Sequence, residues 1–73
     1  MPAPRKFPPP WRAEQTGECF CVRDATGQPL AYVYFEDEDG RRSNMKRLTS
    51  DEARRIAANI AKLPELLKRG VPK

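Results

Sequence analysis

Leu30-Ala31-Tyr32-Val33-Tyr34-Phe35 decides the fold of this chain. Aromatic and β-branched residues dominate the run, Pro29 precedes it and the acidic Glu36–Asp39 follows, so it reads as a β-strand. Side chains alternate along a strand. Ala31, Val33 and Phe35 therefore face one way, and Leu30, Tyr32 and Tyr34 face the other. A chain of 73 residues can cover one face of a small sheet with its own helix, but hardly two. One aromatic face is left over.

Two further strands precede this one. Trp11-Arg12-Ala13-Glu14-Gln15 alternates, Thr16-Gly17 supplies a turn, and Glu18-Cys19-Phe20-Cys21-Val22-Arg23 alternates again. Asp24–Pro29 is turn chemistry, with Gly27 available for a positive φ. Pro29 then opens the third strand, where a missing N–H is tolerated. Short connections predict an antiparallel meander. Its inner face is Trp11/Ala13, Phe20/Val22 and Ala31/Val33/Phe35. Its outer face is Arg12/Glu14, Cys19/Cys21/Arg23 and Tyr32/Tyr34.

Beyond the acidic turn the pattern becomes helical. Thr49 is the expected N-cap, with Ser50 the alternative, Glu52 completing a capping box and Leu48 stapling against Ala53. Ala53, Ile56, Ala57, Ile60 and Leu63 recur at three- and four-residue steps and predict one apolar stripe for the sheet. Pro64 stops or kinks the helix near Lys62 and starts a final turn, Pro64 to Lys68, that brings Leu66 or Leu67 to the core edge. Ser43–Met45 is either a short strand or a single helical turn. The expected fold is α+β, a three-stranded antiparallel sheet (β-β-β-α) with one helix on one face. Residues 1–10 form a flexible proline-rich segment that delivers Trp11 to the core, residues 11–69 the single domain, and residues 70–73 a disordered tail.

Charge and residue types narrow the function. The net charge is +4, but residues 1–40 carry −3 and residues 41–73 carry +7. Histidine is absent, no glycine-rich phosphate loop is present, and no carboxylate pair sits in an apolar surround, so no catalytic residue is assigned. Cys19-Phe20-Cys21 without histidine or a second cysteine pair cannot complete a tetrahedral zinc site in one chain. Neither metal nor cofactor is expected, and both cysteines read as free, partly buried thiols. Glu36–Asp39 lacks the spacing of a calcium loop and neutralises the neighbouring cations instead. No apolar run approaches the roughly 20 residues that span a bilayer, which points to a cytoplasmic protein without membrane contact.

Two surfaces compete for a binding role. Tyr32 and Tyr34, flanked by Arg12 and Arg23, suit a protein partner or a second copy of the chain. Arg41, Arg42, Lys46, Arg47, Arg54, Arg55 and Lys62 make nucleic acid the alternative partner, and a sheet backed by one helix is the layout of some sheet-in-groove DNA readers. Glu14, Glu18 and Glu36–Asp39 weigh against a strong polyanion binder. A non-catalytic protein-interaction module is the preferred reading.

The runs Ala31–Glu38, Gly40–Ser43, Leu48-Thr49 and Asp51–Pro64 resemble a family of short alphaproteobacterial proteins with no established activity. The likeness spans about Phe7 to Leu67. It implies a bacterial cytoplasmic origin and transfers no functional residue.

Overall fold

Phe20, Val22, Phe35, Ala53 and Ala57 form one buried cluster, and the chain is arranged around it. The fold comes from a computed structural model that describes residues 6–70. The first five residues of the proline-rich segment, the tail from Val71 and the side chains of Arg42, Met45, Lys68 and Arg69 lie outside the described residues. Strands β1 (Arg12–Thr16), β2 (Cys19–Arg23) and β3 (Pro29–Tyr34) form an antiparallel sheet in the order β1-β2-β3. Helices α1 (Asp39–Met45), α2 (Ser50–Ala61) and α3 (Leu63–Gly70) follow. The architecture is the expected α+β meander with α2 packed across one sheet face. Its two short flanking helices go beyond the single-helix expectation.

The register places the strands as alternation demands. Ala13, Val22 and Ala31 form one cross-strand row and Gln15, Phe20 and Val33 another, both toward α2. Phe20 and Phe35 meet at 5.5 Å between ring centroids, an aromatic pair that fixes the centre of the core. Trp11 packs against this core, and its indole Nε1–H donates to the Phe7 carbonyl at 3.0 Å. The Ala25 N–H donates to the Pro8 carbonyl at 3.0 Å, which ties residues 7–11 to the β2–β3 turn.

That turn is organised by a buried carboxylate. Asp24 Oδ1 accepts from the Thr26 hydroxyl at 2.7 Å, the Thr26 N–H at 2.8 Å and the Gln28 N–H at 3.0 Å. These donors, led by the Thr26 hydroxyl, hold the Asp24 carboxyl below its ordinary pKa against the opposing effect of burial. Gly27 takes φ +94° in the same turn.

Asp37 and Glu36 tether the second half of the chain. Phe35 bridges Leu48 in parallel, and the Glu36 N–H donates to the Leu48 carbonyl at 2.8 Å. Asp37 accepts the Ser50 N–H at 2.8 Å, while the Arg41 guanidinium lies 3.3 Å from buried Glu36 and 3.9 Å from Glu38. Ser43–Met45 is helical, so the strand alternative is set aside. At α2 the capping box forms as read: Thr49 accepts the Glu52 N–H at 3.2 Å and Glu52 accepts the Thr49 N–H at 2.8 Å.

The apolar stripe is narrower than its spacing implies. Ala53 and Ala57 are fully buried at the closest approach of α2 to the sheet, and Ile60 is half-buried beside them. Ile56 is 42% exposed and Leu63 is exposed too. The cause is geometric: Phe20, Val22 and Phe35 already fill the space above three strands, so alanines fit beneath the helix and longer side chains are pushed to its flank. Leu66 and Leu67 do not close the core. Pro64, in the first turn of α3 where its missing N–H costs nothing, carries that helix past the sheet so that it packs on α2 alone.

Candidate functional site

The face of the sheet away from α2 carries three cross-strand rows. Glu14, Cys21 and Tyr32 form the middle row, Thr16, Cys19 and Tyr34 the row at one end, and Arg12 opposite Arg23 begins the other. Arg12, Arg23, Tyr32 and Tyr34 therefore share one surface, as the strand parity requires. An irregularity between Val22 and Arg23 interrupts the last row before β3. The Tyr32 and Tyr34 rings stack at 6.4 Å and remain 52% and 53% exposed.

This open face has a dry floor. Cys21 is wholly inaccessible and Cys19 nearly so, and both are free thiols. Tyr32 and Glu14 flank Cys21 across the strands, and Arg23 reaches over from the same strand to Glu14. Arg23 Nε donates to Glu14 Oε1 at 2.6 Å, and its Nη1 donates to the Gly27 carbonyl at 3.1 Å. The Glu14 carboxylate, with Cys21 and Tyr32 adding, raises the Arg23 pKa further above its ordinary value. The thiols are thus sealed beneath an ion pair and two phenols. Burial of both thiols removes them from contact with solvent.

Arg47 belongs to this face, although nothing in the spacing of the chain places it there. Its guanidinium stands 5.5 Å from the centre of the Tyr34 ring and 3.8 Å from Glu18. The connection between α1 and α2 brings it back beside β3 through the Phe35–Leu48 bridge. Tyr34 is consequently stacked on Tyr32 and capped by a cation, which restrains its ring.

Among the described residues, most of the other cations are engaged by carboxylates close to them in the chain, and Arg42 lies outside the described side chains. Arg54 and Arg55 both bind Asp51 on α2, behind the sheet, and this pairing, Arg54 first, lowers the Asp51 pKa. Arg41 is engaged by Glu36 and Glu38. Lys46 and Lys62 are exposed on separate segments. Two open grooves lie elsewhere on the described surface. One of about 570 Å³ runs between Pro9–Trp11 and Ala61–Glu65, with Lys62 and Glu65 as its charged lining. Another of about 450 Å³ lies between Phe7, Leu30 and Ile60.

No family model, curated protein or solved structure matches the chain. Among the described residues no helix is long and apolar enough to cross a membrane, and no cluster of three or more histidine, cysteine or acidic side chains is placed to hold a metal ion.

Proposed function

We propose that this chain is a small non-catalytic protein-interaction module whose sheet face, centred on Tyr32 and Tyr34 and flanked by Arg12 and Arg23, receives a protein partner. The supporting observation is the half-exposed stacked tyrosine pair, set over a dry floor and capped by Arg47. Rigid, amphipathic aromatic side chains beside compensated charges are the composition that interface centres favour. The ion pairs argue the same way. Arg23 and Arg47 on this face already satisfy Glu14 and Glu18, so a polyanion would have to displace carboxylates before gaining a contact.

The test pairs two measurements on the full chain. Immobilised protein should capture a partner from cell lysate, and Tyr32→Ala with Tyr34→Ala should abolish the capture while Arg54→Ala with Arg55→Ala leaves it intact. Truncating such anchors costs on the order of 2 kcal/mol each, roughly 30-fold in affinity. Titration of duplex DNA at low ionic strength should show no binding. Duplex binding that weakens steeply with salt, and falls when Arg41, Arg54 and Arg55 are neutralised, would replace this reading with nucleic-acid recognition.

A further inference from the structure

We propose that two copies of this chain pair through the outer edge of β3 and the exposed flank of α2, joining their sheets into one. Hydrogen-bond parity on β3 is the starting point. The Phe35 N–H donates inward to the Glu18 carbonyl at 3.0 Å. Alternation then sends the N–H and C=O groups of Val33 and Ala31 toward β2 and those of Tyr32 and Tyr34 outward. The next outward N–H, that of Glu36, is taken by Leu48. From Leu30 to Tyr34 no strand of the described chain lies along this edge, and α1 and α3 pack against neither β3 nor the rest of the sheet.

The two edges of the sheet differ in how they are protected. Along β1, Arg12, Glu14, Gln15 and Thr16 give a charged and polar edge, a usual defence against strand addition. Leu30–Tyr34 carries no charge, so pairing with an identical strand sets no like charges together. Unpaired main chain on a neutral, aromatic strand specifies an extended strand as the occupant.

The helix flank identifies that strand as a second copy. Ile60 lines a cleft with Pro29, Leu30 and Ala31 of β3 together with Phe7 and Trp11, whereas no β3 residue lines the groove at Ala61, which faces Pro9–Trp11. Ile56, four residues before Ile60, therefore lies on the β3-ward flank of α2, and Leu63 opens α3 just past its end; both are exposed. A lone peptide on the edge would leave them wet, and one short ladder falls below the roughly 1,000 Å² that a specific interface needs. A twofold copy covers edge and flank together. Strand spacing puts β2 and its mate about 14 Å apart in the joined sheet. Helices about 10–12 Å wide lying over them leave a furrow of only a few ångströms, which Ile56 and Leu63 from both copies fill. The twofold axis is normal to the sheet, so both tyrosine pairs come to the same face on adjacent strands. Pairing itself rests on the edge and the flank, not on what the tyrosine face binds.

Sedimentation of the full chain across a wide concentration range should show a reversible monomer–dimer equilibrium. Ile56→Glu with Leu63→Glu, two exposed sites, should keep the circular dichroism spectrum and raise the dimer dissociation constant at least about 10-fold. Tyr32→Pro removes an outward N–H and should also give a monomer. Should that variant fail to fold, amide exchange of the unmodified chain decides the matter. The Tyr32 and Tyr34 amides should gain protection as concentration rises, and those of β1 should not. A chain that stays monomeric, a dimer indifferent to the paired glutamates, or protection appearing at β1 instead would overturn the proposal. Partner capture by the Ile56→Glu/Leu63→Glu chain, compared with Tyr32→Ala/Tyr34→Ala, separates failure of pairing from failure of the tyrosine face.

Discussion

Val22→Ala against Ile56→Ala tests which residues hold this domain together. Both positions are aliphatic within the apolar pattern, yet Val22 is wholly buried between sheet and helix while Ile56 is 42% exposed. Removing two carbons from Val22 forfeits about 1.6 kcal/mol of transfer free energy at ~0.8 kcal/mol each. A residual void adds up to about 1 kcal/mol if Ala53 and Ala57 cannot collapse onto it, for a total of about 2–3 kcal/mol. A domain of this length has a stability of only about 4–11 kcal/mol, so the loss is a large fraction of the whole. With a urea m-value of about 1 kcal/mol/M, the midpoint should fall by about 2 M. Ile56→Ala removes one carbon more, but from a wet flank, and should shift the midpoint by less than about 0.5 M. Trp11, the single tryptophan, packs on the core and reports unfolding by fluorescence. The titration belongs at a concentration where the chain is monomeric, because self-association adds its own stabilisation. Equal shifts for the two variants, or a larger one for Ile56→Ala, would refute the assignment of the core to the alanine-lined centre of α2.

Three further outcomes follow from the turn and cap geometry. Asp24 has a folded pKa below its unfolded value of about 3.9, so its contribution is complete above that value and is lost as pH falls through the folded pKa. Melts between pH 7 and pH 2 should show this loss in the unmodified chain and a flatter profile in Asp24→Asn, whose pH 7 melting temperature is already lower. Thr49→Ala removes the hydroxyl that accepts the Glu52 N–H and should cost about 1 kcal/mol, read as an earlier urea midpoint with reduced helicity. Gly27→Ala meets no neighbouring atom, so its cost is purely the positive φ, about 1–2 kcal/mol, visible as a lower melting temperature with an unchanged spectrum.

Local chemistry was legible in the sequence wherever one residue type has one physical use. Thr49 and Glu52 mark the start of α2 because few other pairs cap reciprocally, and the Asp24–Pro29 turn follows from a carboxylate able to bind the backbone ahead of it. Strand parity likewise placed Arg12, Arg23, Tyr32 and Tyr34 on one face. What periodicity could not supply was depth. Ile56 and Ala57 obey the same helical spacing, and only the volume already taken by Phe20, Val22 and Phe35 decides that the alanine goes under the helix. Arg47 was hidden for a different reason. It reaches Tyr34 through the long-range Phe35–Leu48 bridge, and a pairing between an isolated residue and a strand end leaves no local pattern.

The strand Leu30–Tyr34 has four sides, and the chain has finished two of them. Its inner face lies under α2 and its inner edge is paired to β2. Leu48 closes the outer edge only beyond Tyr34, at the point where the chain turns away into α2. The unfinished sides are the tyrosine face and the outer edge, and they meet along one line of backbone. Among the described residues no strand or helix closes the outer edge, yet leaving a neutral edge open is costly because it invites indiscriminate pairing. A twofold partner resolves that conflict without added sequence. It occupies the edge with the one strand whose neutrality and flank match it, and leaves the tyrosines facing outward. On the two proposals made above, edge and face have separate tasks, self-association for one and recognition for the other. Variants that silence one should therefore leave the other working.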